Sequence, residues 1–88
     1  MNLIYTTQFK KDFKRVSSQN KDISKLKSVI DLLLNGIKLE SQYRDHSLVG
    51  KWKNHRDCHI EPDWILIYKQ TKESLALERT GSHSELFK

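Results

Sequence analysis

The chain has 88 residues, of which 31% are charged and 36% hydrophobic, and its formal net charge is +5. This balance predicts one folded domain over residues 1–88 and excludes a disordered tail. The apolar runs VIDLLL and WILIY are too short to span a bilayer and no signal-peptide pattern is evident, so we expect a cytoplasmic protein without membrane contact. The positive charge favours a nucleic acid or an acidic protein as partner, without choosing between them.

The N-terminal segment shows the pattern of a strand followed by a helix. NLIYT is short, apolar and rich in β-prone residues, and it predicts a first strand. Thr6 or Thr7 can then cap a helix, because a threonine hydroxyl accepts a backbone N–H of the first turn. Phe9, Phe13 and Val16 fall on one face of that helix, which we expect to be buried.

A second helix is expected to begin after Asp22 as N-cap and to end near Asn35-Gly36. Its apolar positions recur at near-helical spacing, namely Ile23, Leu26, Ile30, Leu33 and Ile37. Gly36 supplies the stop signal, since glycine readily adopts the left-handed conformation that ends helices. The two helices together predict a hairpin that packs against a flat layer.

From Leu48 onward the helical spacing gives way to alternation. Three stretches, KWKNHRDCHI, WILIYK and SLALERT, are separated by EPD and QTKE, and they predict three antiparallel strands. Glu61-Pro62-Asp63 would form the turn between strands at residues 56–60 and 64–69, because proline presets a turn. We therefore predict an α+β fold of order βααβββ, with both helices on one face of a twisted, mainly antiparallel sheet and the other face partly open to a ligand.

Alternation also assigns the side chains of the first of these strands to the two faces of the sheet. His55, Asp57 and His59 share one face, and Arg56, Cys58 and Ile60 share the other. Cys58 is the single cysteine of the chain, so it has no internal disulfide partner, and we expect it to be a small buried residue.

The second half of the chain contains all four histidines, namely His46, His55, His59 and His83. RNA can be cut without a metal if its own 2′-hydroxyl attacks the adjacent phosphate, because the enzyme then only moves two protons and neutralises the phosphorane. Histidine titrates at about pH 6.5 and suits either proton transfer. Asp63 could orient a histidine or act as the base, and arginine offers a planar fork for phosphate.

Two aromatic residues favour RNA over a small molecule. Trp64, at the start of a strand, and Phe87, near the C-terminus, could stack on splayed bases, although packing explains Trp64 equally well. A metal site would use His46, His59, Asp63 and His83, but the spacing of these residues matches no zinc motif, so we expect neither a metal nor another cofactor. TGSHS lacks the G-x-S-x-G elbow of a serine hydrolase.

Three segments, YRDHSLVGKWK, RDCHIEPDWILIY and ERTGSHSELF, resemble the YafQ-type branch of the RelE superfamily, the ribonuclease toxins of bacterial type II toxin–antitoxin modules. They cover residues 43–87, whereas the helical half resembles that family only in layout. The resemblance implies a RelE-like fold and a cytoplasmic endoribonuclease that cleaves messenger RNA in the ribosomal A site without a metal. It also implies inhibition by a cognate antitoxin, in a complex that could bind its own operator DNA.

Carried over position by position, the family's active site falls on His46, His59, Asp63 with Trp64, and His83 with Phe87. The resemblance implies His83 as general acid toward the leaving oxygen. Asp63 or His59 would act as the base or orient it, and His46 would be a phosphate or proton partner.

The two arginines Arg56 and Arg79 would stabilise the phosphorane, a role that follows from arginine chemistry as much as from the resemblance. Two other functions stay open. One is a non-catalytic basic module that binds nucleic acid or regulates transcription. The other is a protein-binding domain whose basic groove receives an acidic helix.

Overall fold

In the computed structural model, which describes residues 1–87, two long helices pack on a five-stranded sheet. The strands are β1 (Asn2–Tyr5), β2 (His46–Ser47), β3 (Arg56–Glu61), β4 (Trp64–Gln70) and β5 (Ser74–Gly81). The helices are α1 (Thr7–Ser17), α2 (Ile23–Leu34) and the short α3 (His83–Leu86), and single 3₁₀ turns lie at Ser41–Tyr43 and Gly50–Trp52. The predicted α+β class and the order of its main elements are confirmed, while β2 and α3 are additions that carry no strong sequence signal.

The helix boundaries follow from their caps. The Thr6 hydroxyl accepts the Phe9 N–H at 3.0 Å, so Thr6, and not Thr7, caps α1. Asp22 caps α2 as predicted, accepting the Ser24 N–H at 3.0 Å. The prediction that Ile37 continues the apolar face of α2 is wrong. The helix ends at Leu34 and Gly36 turns left-handed at φ 68°, so Ile37 leaves the helical register and is 51% exposed.

The sheet has the strand order β1-β5-β4-β3-β2. β1 runs parallel to β5, whereas β5, β4, β3 and β2 are antiparallel neighbours, so the sheet is mixed but mainly antiparallel, as expected. The β3–β4 hairpin turns at residues 62–63 and carries a register shift between His59 and Glu61. Such an irregularity re-aims the side chains at the end of a hairpin, where the candidate site lies.

The helices cover one face of the sheet and form the main core with it. The apolar stripes of α1 and α2 contact alternate residues of β3, β4 and β5, among them Cys58, Trp64, Leu66 and Tyr68. Cys58 is fully buried, as predicted, and burial raises the pKa of its thiol. Each fully buried large apolar side chain of this layer contributes about 1.5–3 kcal/mol to folding.

The opposite face of the sheet is covered over part of its area only. Ile65 and Ile67 of β4 contact Leu86 of α3, with Leu48 and Trp52 packed beside them. Beyond this small cluster, the end of the sheet near the β3–β4 hairpin carries polar groups. Across residues 1–87 we find no helix with the length and apolar character needed to cross a bilayer.

Candidate active site

The candidate site lies where the β3–β4 hairpin meets the start of α3. His59 projects from β3, Asp63 lies in the turn, and His83 is the first residue of α3. Ser82 caps α3 in a capping box with Glu85, which fixes the direction in which the chain leaves β5. Residues about 20 positions apart in the sequence are thereby brought within hydrogen-bonding distance.

Asp63 and His83 form the closest polar pair of the site. One carboxylate oxygen, Asp63 Oδ1, accepts the His83 backbone N–H at 2.9 Å and lies 2.7 Å from His83 Nδ1. These two hydrogen bonds from His83 lower the pKa of Asp63, which is therefore an anion that can only accept. His83 Nδ1 must then carry a proton, and Nε2 is left to exchange a proton with a ligand.

His59 approaches the same pair from the strand. Its ring lies edge-on to the His83 ring, with 5.2 Å between centroids and 65° between planes. His59 is half-buried, while the His83 side chain is 50% exposed. Two imidazoles at this separation can reach neighbouring oxygens of one phosphodiester, which is the geometry that acid–base cleavage needs.

Asp57 lies buried beneath the histidines. It pairs across strands with His46, and His59 follows two residues later on the same face of β3. The Asp57 Oδ1 atom is 3.1 Å from His46 Nδ1 but makes no hydrogen bond, because that nitrogen donates to the Arg44 carbonyl at 2.8 Å. The Asp57 carboxylate thus faces imidazoles without a strong partner of its own.

Burial raises the pKa of Asp57, and the positive charges that His46, His59 and His83 can carry oppose this rise. All three histidines therefore act electrostatically on one buried carboxylate.

Arg79 reaches the open face from β5, opposite Ile67 of β4. Its Nε bonds Asp12 Oδ2 at 2.6 Å and a second nitrogen bonds Asp12 Oδ1 at 3.2 Å. Asp12 also accepts from Arg15 and from the Thr80 N–H. Arg79 is consequently held by a buried carboxylate, with its side chain 22% exposed in a cavity that Leu86 and Phe87 also line.

A comparison with known protein families shows which family the chain belongs to. The family described as bacterial toxin of type II toxin-antitoxin system, YafQ, matches residues 1–88. This chain belongs to the YafQ family. The predicted resemblance, which depended on residues 43–87, is confirmed and extends to the helical half.

Individual relatives agree with this assignment to the YafQ family. The mRNA interferase toxin YafQ of Escherichia coli strain K12 is 50% identical over 84 residues, covering 94% of this chain and 91% of that toxin. A chain of the crystal structure of the E. coli DinJ-YafQ complex has a TM-score of 0.93 and 48% identity, covering 99% and 98% of the two chains. A metal-bound toxin from Helicobacter pylori has a TM-score of 0.91 and 37% identity, covering 99% of both chains.

The fold brings His59, Asp63 and His83 together and places His46 near them through Asp57. Phe87 lies next to this group, with its ring centroid 6.3 Å from that of His83, and is 40% exposed. The structure thus groups these five predicted site residues at one end of the sheet. Within residues 1–87, no three histidine, cysteine, aspartate or glutamate side chains are arranged to hold a metal ion.

Two residues predicted to contact RNA lie apart from the histidine group. Trp64 is fully buried, and its indole N–H donates to the Thr80 hydroxyl at 2.9 Å, so it offers no ring face on which a base could stack. Arg56 points toward the helix-covered face, opposite to His59, and pairs with Asp45 at 3.1 Å. The pleat that alternates side chains along β3 thus removes Arg56 from the histidine group.

Asp57 is the residue of the site that sequence reasoning missed. Alternation does place it on the same face as His59, and that signal was available. Its burial and the nearness of His46 and His83 arise only in the folded chain, where β2 pairs with β3 and α3 follows β5.

Proposed function

We propose that the chain is a toxin that cleaves messenger RNA on the ribosome, without a bound metal, by attack of the 2′-hydroxyl on the adjacent phosphate. The observation that carries this proposal is the Asp63–His83 pair at 2.7 Å, with the His59 ring 5.2 Å away at an accessible edge of the sheet. The mRNA interferase activity of the E. coli relative, at 50% identity, supports it.

In the proposed reaction, His59 removes the proton of the 2′-hydroxyl, and the oxygen then attacks phosphorus. The bond from phosphorus to the 5′-oxygen breaks as His83 Nε2 donates a proton to that oxygen. The products are a 2′,3′-cyclic phosphate and a free 5′-hydroxyl. Asp63 acts on His83 and not on the substrate, because both of its hydrogen bonds go to that residue.

The remaining residues would stabilise charge and position the strand. Asp57 favours the imidazolium that forms on His59, and His46 contacts the phosphate or a proton in transit. Arg79 neutralises the phosphorane with the part of its guanidinium that Asp12 leaves open. Phe87 stacks on a neighbouring base.

The decisive experiment compares wild type with His83→Ala on translated messages, using primer extension to locate cuts. We expect His83→Ala to lower cleavage about 10²–10⁴-fold. His55→Ala is a matched control, because His55 lies outside the cluster and contacts Glu78 and the Trp52 ring instead. Equal cleavage by all three proteins, with equal thermal stability, would refute the assignment.

Two further measurements test two parts of the proposal, the absence of a metal and the dependence on ribosomes. A chelator selective for transition metals leaves the magnesium of the ribosome in place, so persistence of cleavage in its presence supports a metal-free reaction. Omitting ribosomes tests whether free RNA is cut. Salt-dependent RNA binding with no cleavage under any condition would favour the non-catalytic basic module.

We also propose that a cognate antitoxin inhibits the chain, as the DinJ-YafQ complex of E. coli suggests for its own partners. An apolar groove of about 280 Å³ between α1 and α2 is lined by Tyr5, Phe9, Phe13 and Ile30, with Lys10 and Lys27 at its rim. That chemistry fits an acidic amphipathic segment, which would fold on binding. Such a complex could bind operator DNA. Co-expression with a small acidic protein encoded beside the chain, followed by co-purification, tests the pairing, and the lack of any such neighbour would count against it.

A further inference from the structure

A cleft of about 830 Å³ continues from the candidate active site toward the α1–α2 connection. It is lined by His59, Asp63 and Ser84 of the site. The segment between the helices adds Gln19 and Lys21 to the lining, neither of which has a role in the proposed chemistry. The cleft therefore extends the site in a direction that a bound strand could follow.

Most charged groups that line this cleft already have a partner. Lys25 Nζ lies 2.8 Å from Glu61 Oε2, and Glu85 Oε2 lies 3.0 Å from Arg15 Nε. Asp63 is paired with His83. Lys21 is the exception, because its ammonium has no ion-pair partner among residues 1–87.

Lys21 is held in place although it lacks an ion pair. Its Nζ lies over the Trp64 ring, 5.5 Å from the centroid, and the residue is half-buried. The pKa of Asp63 is lowered first by the His83 hydrogen bonds and additionally by the charge of Lys21, which places the ammonium near the reacting groups. An anchored cation loses less side-chain entropy on binding a phosphate than a free surface lysine does.

We propose that Lys21 neutralises the phosphate next to the scissile one, and that the cleft holds the nucleotide between the two. This inference rests on the proposed function and adds a substrate contact to it. The side-chain amides of Gln19 and Gln42, which also line the cleft, offer hydrogen bonds to the base edge.

The test is a double-mutant cycle between the lysine and one phosphate. Ribosomes are programmed with short messages in which the linkage on the 5′ or the 3′ side of the cut is an uncharged methylphosphonate. We expect Lys21→Gln to lower kcat/KM about five- to tenfold on the natural message. On the message whose neutral linkage removes the contacted charge, the same variant should cause less than a twofold loss.

Lys21→Arg should restore the loss, since it keeps the charge, and Lys72→Gln is the matched control. Lys72 is an exposed lysine of the β4–β5 turn, at the opposite end of β4 from Asp63. An unchanged kcat/KM for Lys21→Gln, or an equal loss on the natural and both neutral messages, overturns the proposal.

An RNA-binding assay distinguishes a failure of this inference from a failure of the proposed function. The affinity of wild type and Lys21→Gln for a short RNA with a 2′-O-methyl group at the cut, with and without the neutral linkages, is measured at low salt. Coupling of Lys21 to one linkage in this assay, without cleavage of any natural message, would refute the nuclease and keep the contact. Absence of coupling in both assays refutes the contact alone.

Discussion

Asp12 and Asp57 are both buried against the same sheet, yet their pKa values shift in opposite directions. Burial alone would raise the pKa of Asp12, but hydrogen bonds from Arg79, Arg15 and the Thr80 N–H outweigh it and lower the value. Asp57 has no comparable donors, so burial dominates and its pKa rises. Hydrogen-bond donors, and not burial alone, therefore decide whether the pKa of these two carboxyls falls or rises.

The two aspartates differ because of where they lie on the sheet. β1 covers β5 only from Ser74 to Leu77, and Asp12 occupies the strand edge beyond that point. It accepts an edge N–H that would otherwise lack a partner, and two arginines neutralise it. Asp57 lies inside the ladder, between His46 of β2 and Ile67 of β4. Asp12 therefore links α1 to β5 through two arginines and a backbone N–H, whereas Asp57 is buried without a hydrogen-bond donor.

Removal of the charge of Asp12 is expected to cause the larger loss of stability. Asp12→Asn keeps the shape of the side chain but leaves Arg15 and Arg79 without their shared anion. We expect the free energy of unfolding to fall by about 3 kcal/mol at neutral pH. For a domain of this size, Tm should fall by more than about 10 °C in thermal denaturation. An unchanged Tm would show that the network contributes nothing.

The pH dependence of that difference follows from the lowered pKa of Asp12. A carboxyl whose pKa is lower in the folded state stabilises the protein above its unfolded pKa, and this stabilisation disappears as pH falls through the folded value. The gap between wild type and Asp12→Asn should therefore be full at neutral pH and shrink below about pH 4. Denaturant titrations at several pH values measure it. A gap that persists at the lowest pH would show that the charge is not its source.

Asp57→Asn should change the free energy of unfolding in the direction opposite to Asp12→Asn. Its raised pKa means that the charged form is disfavoured on folding, so the wild type gains stability only at low pH and loses it as pH rises through the folded value. We expect the variant to be more stable by about 1 kcal/mol at neutral pH, with the gain vanishing in acid. Cleavage should fall, because the negative charge of Asp57 beside the histidines is lost.

The two variants Asp12→Asn and Asp57→Asn control for each other, since both exchange a buried carboxylate for an amide. If both variants were less stable than the wild type, Asp57 would stabilise the fold as Asp12 does. A stable Asp57→Asn protein with full cleavage would remove that residue from the site.

Local signals predicted the parts of the fold that local energetics decide. Thr6 and Asp22 cap their helices because their side chains satisfy nearby N–H groups, and alternation predicted the three long strands. The short β2 could not be predicted, because two residues have no measurable period. Its position depends on pairing with β3.

The residues of the candidate site could be listed from the resemblance to the family, but their burial and their pairing could not. His59, Asp63 and His83 lie in segments that resemble the family pattern, and the structure places them together. Trp64 was misassigned because burial at the start of a strand is decided by the helices that cover it. The pairing of Arg79 with Asp12 spans 67 residues and has no signature along the chain.

The smallest expected effect concerns the ion pair between Lys25 and Glu61, which resembles the Asp12 contacts in distance but not in surroundings. Its 2.8 Å separation is as short as those of Asp12, yet the two side chains are 52% and 37% exposed. Water screens such a pair, so Lys25→Ala should leave the free energy of unfolding unchanged within the error of the measurement. The Tm of Lys25→Ala should change no more with added salt than the Tm of the wild type does. A loss approaching that of Asp12→Asn would show that distance, and not the number of donors and burial, sets the strength of these pairs.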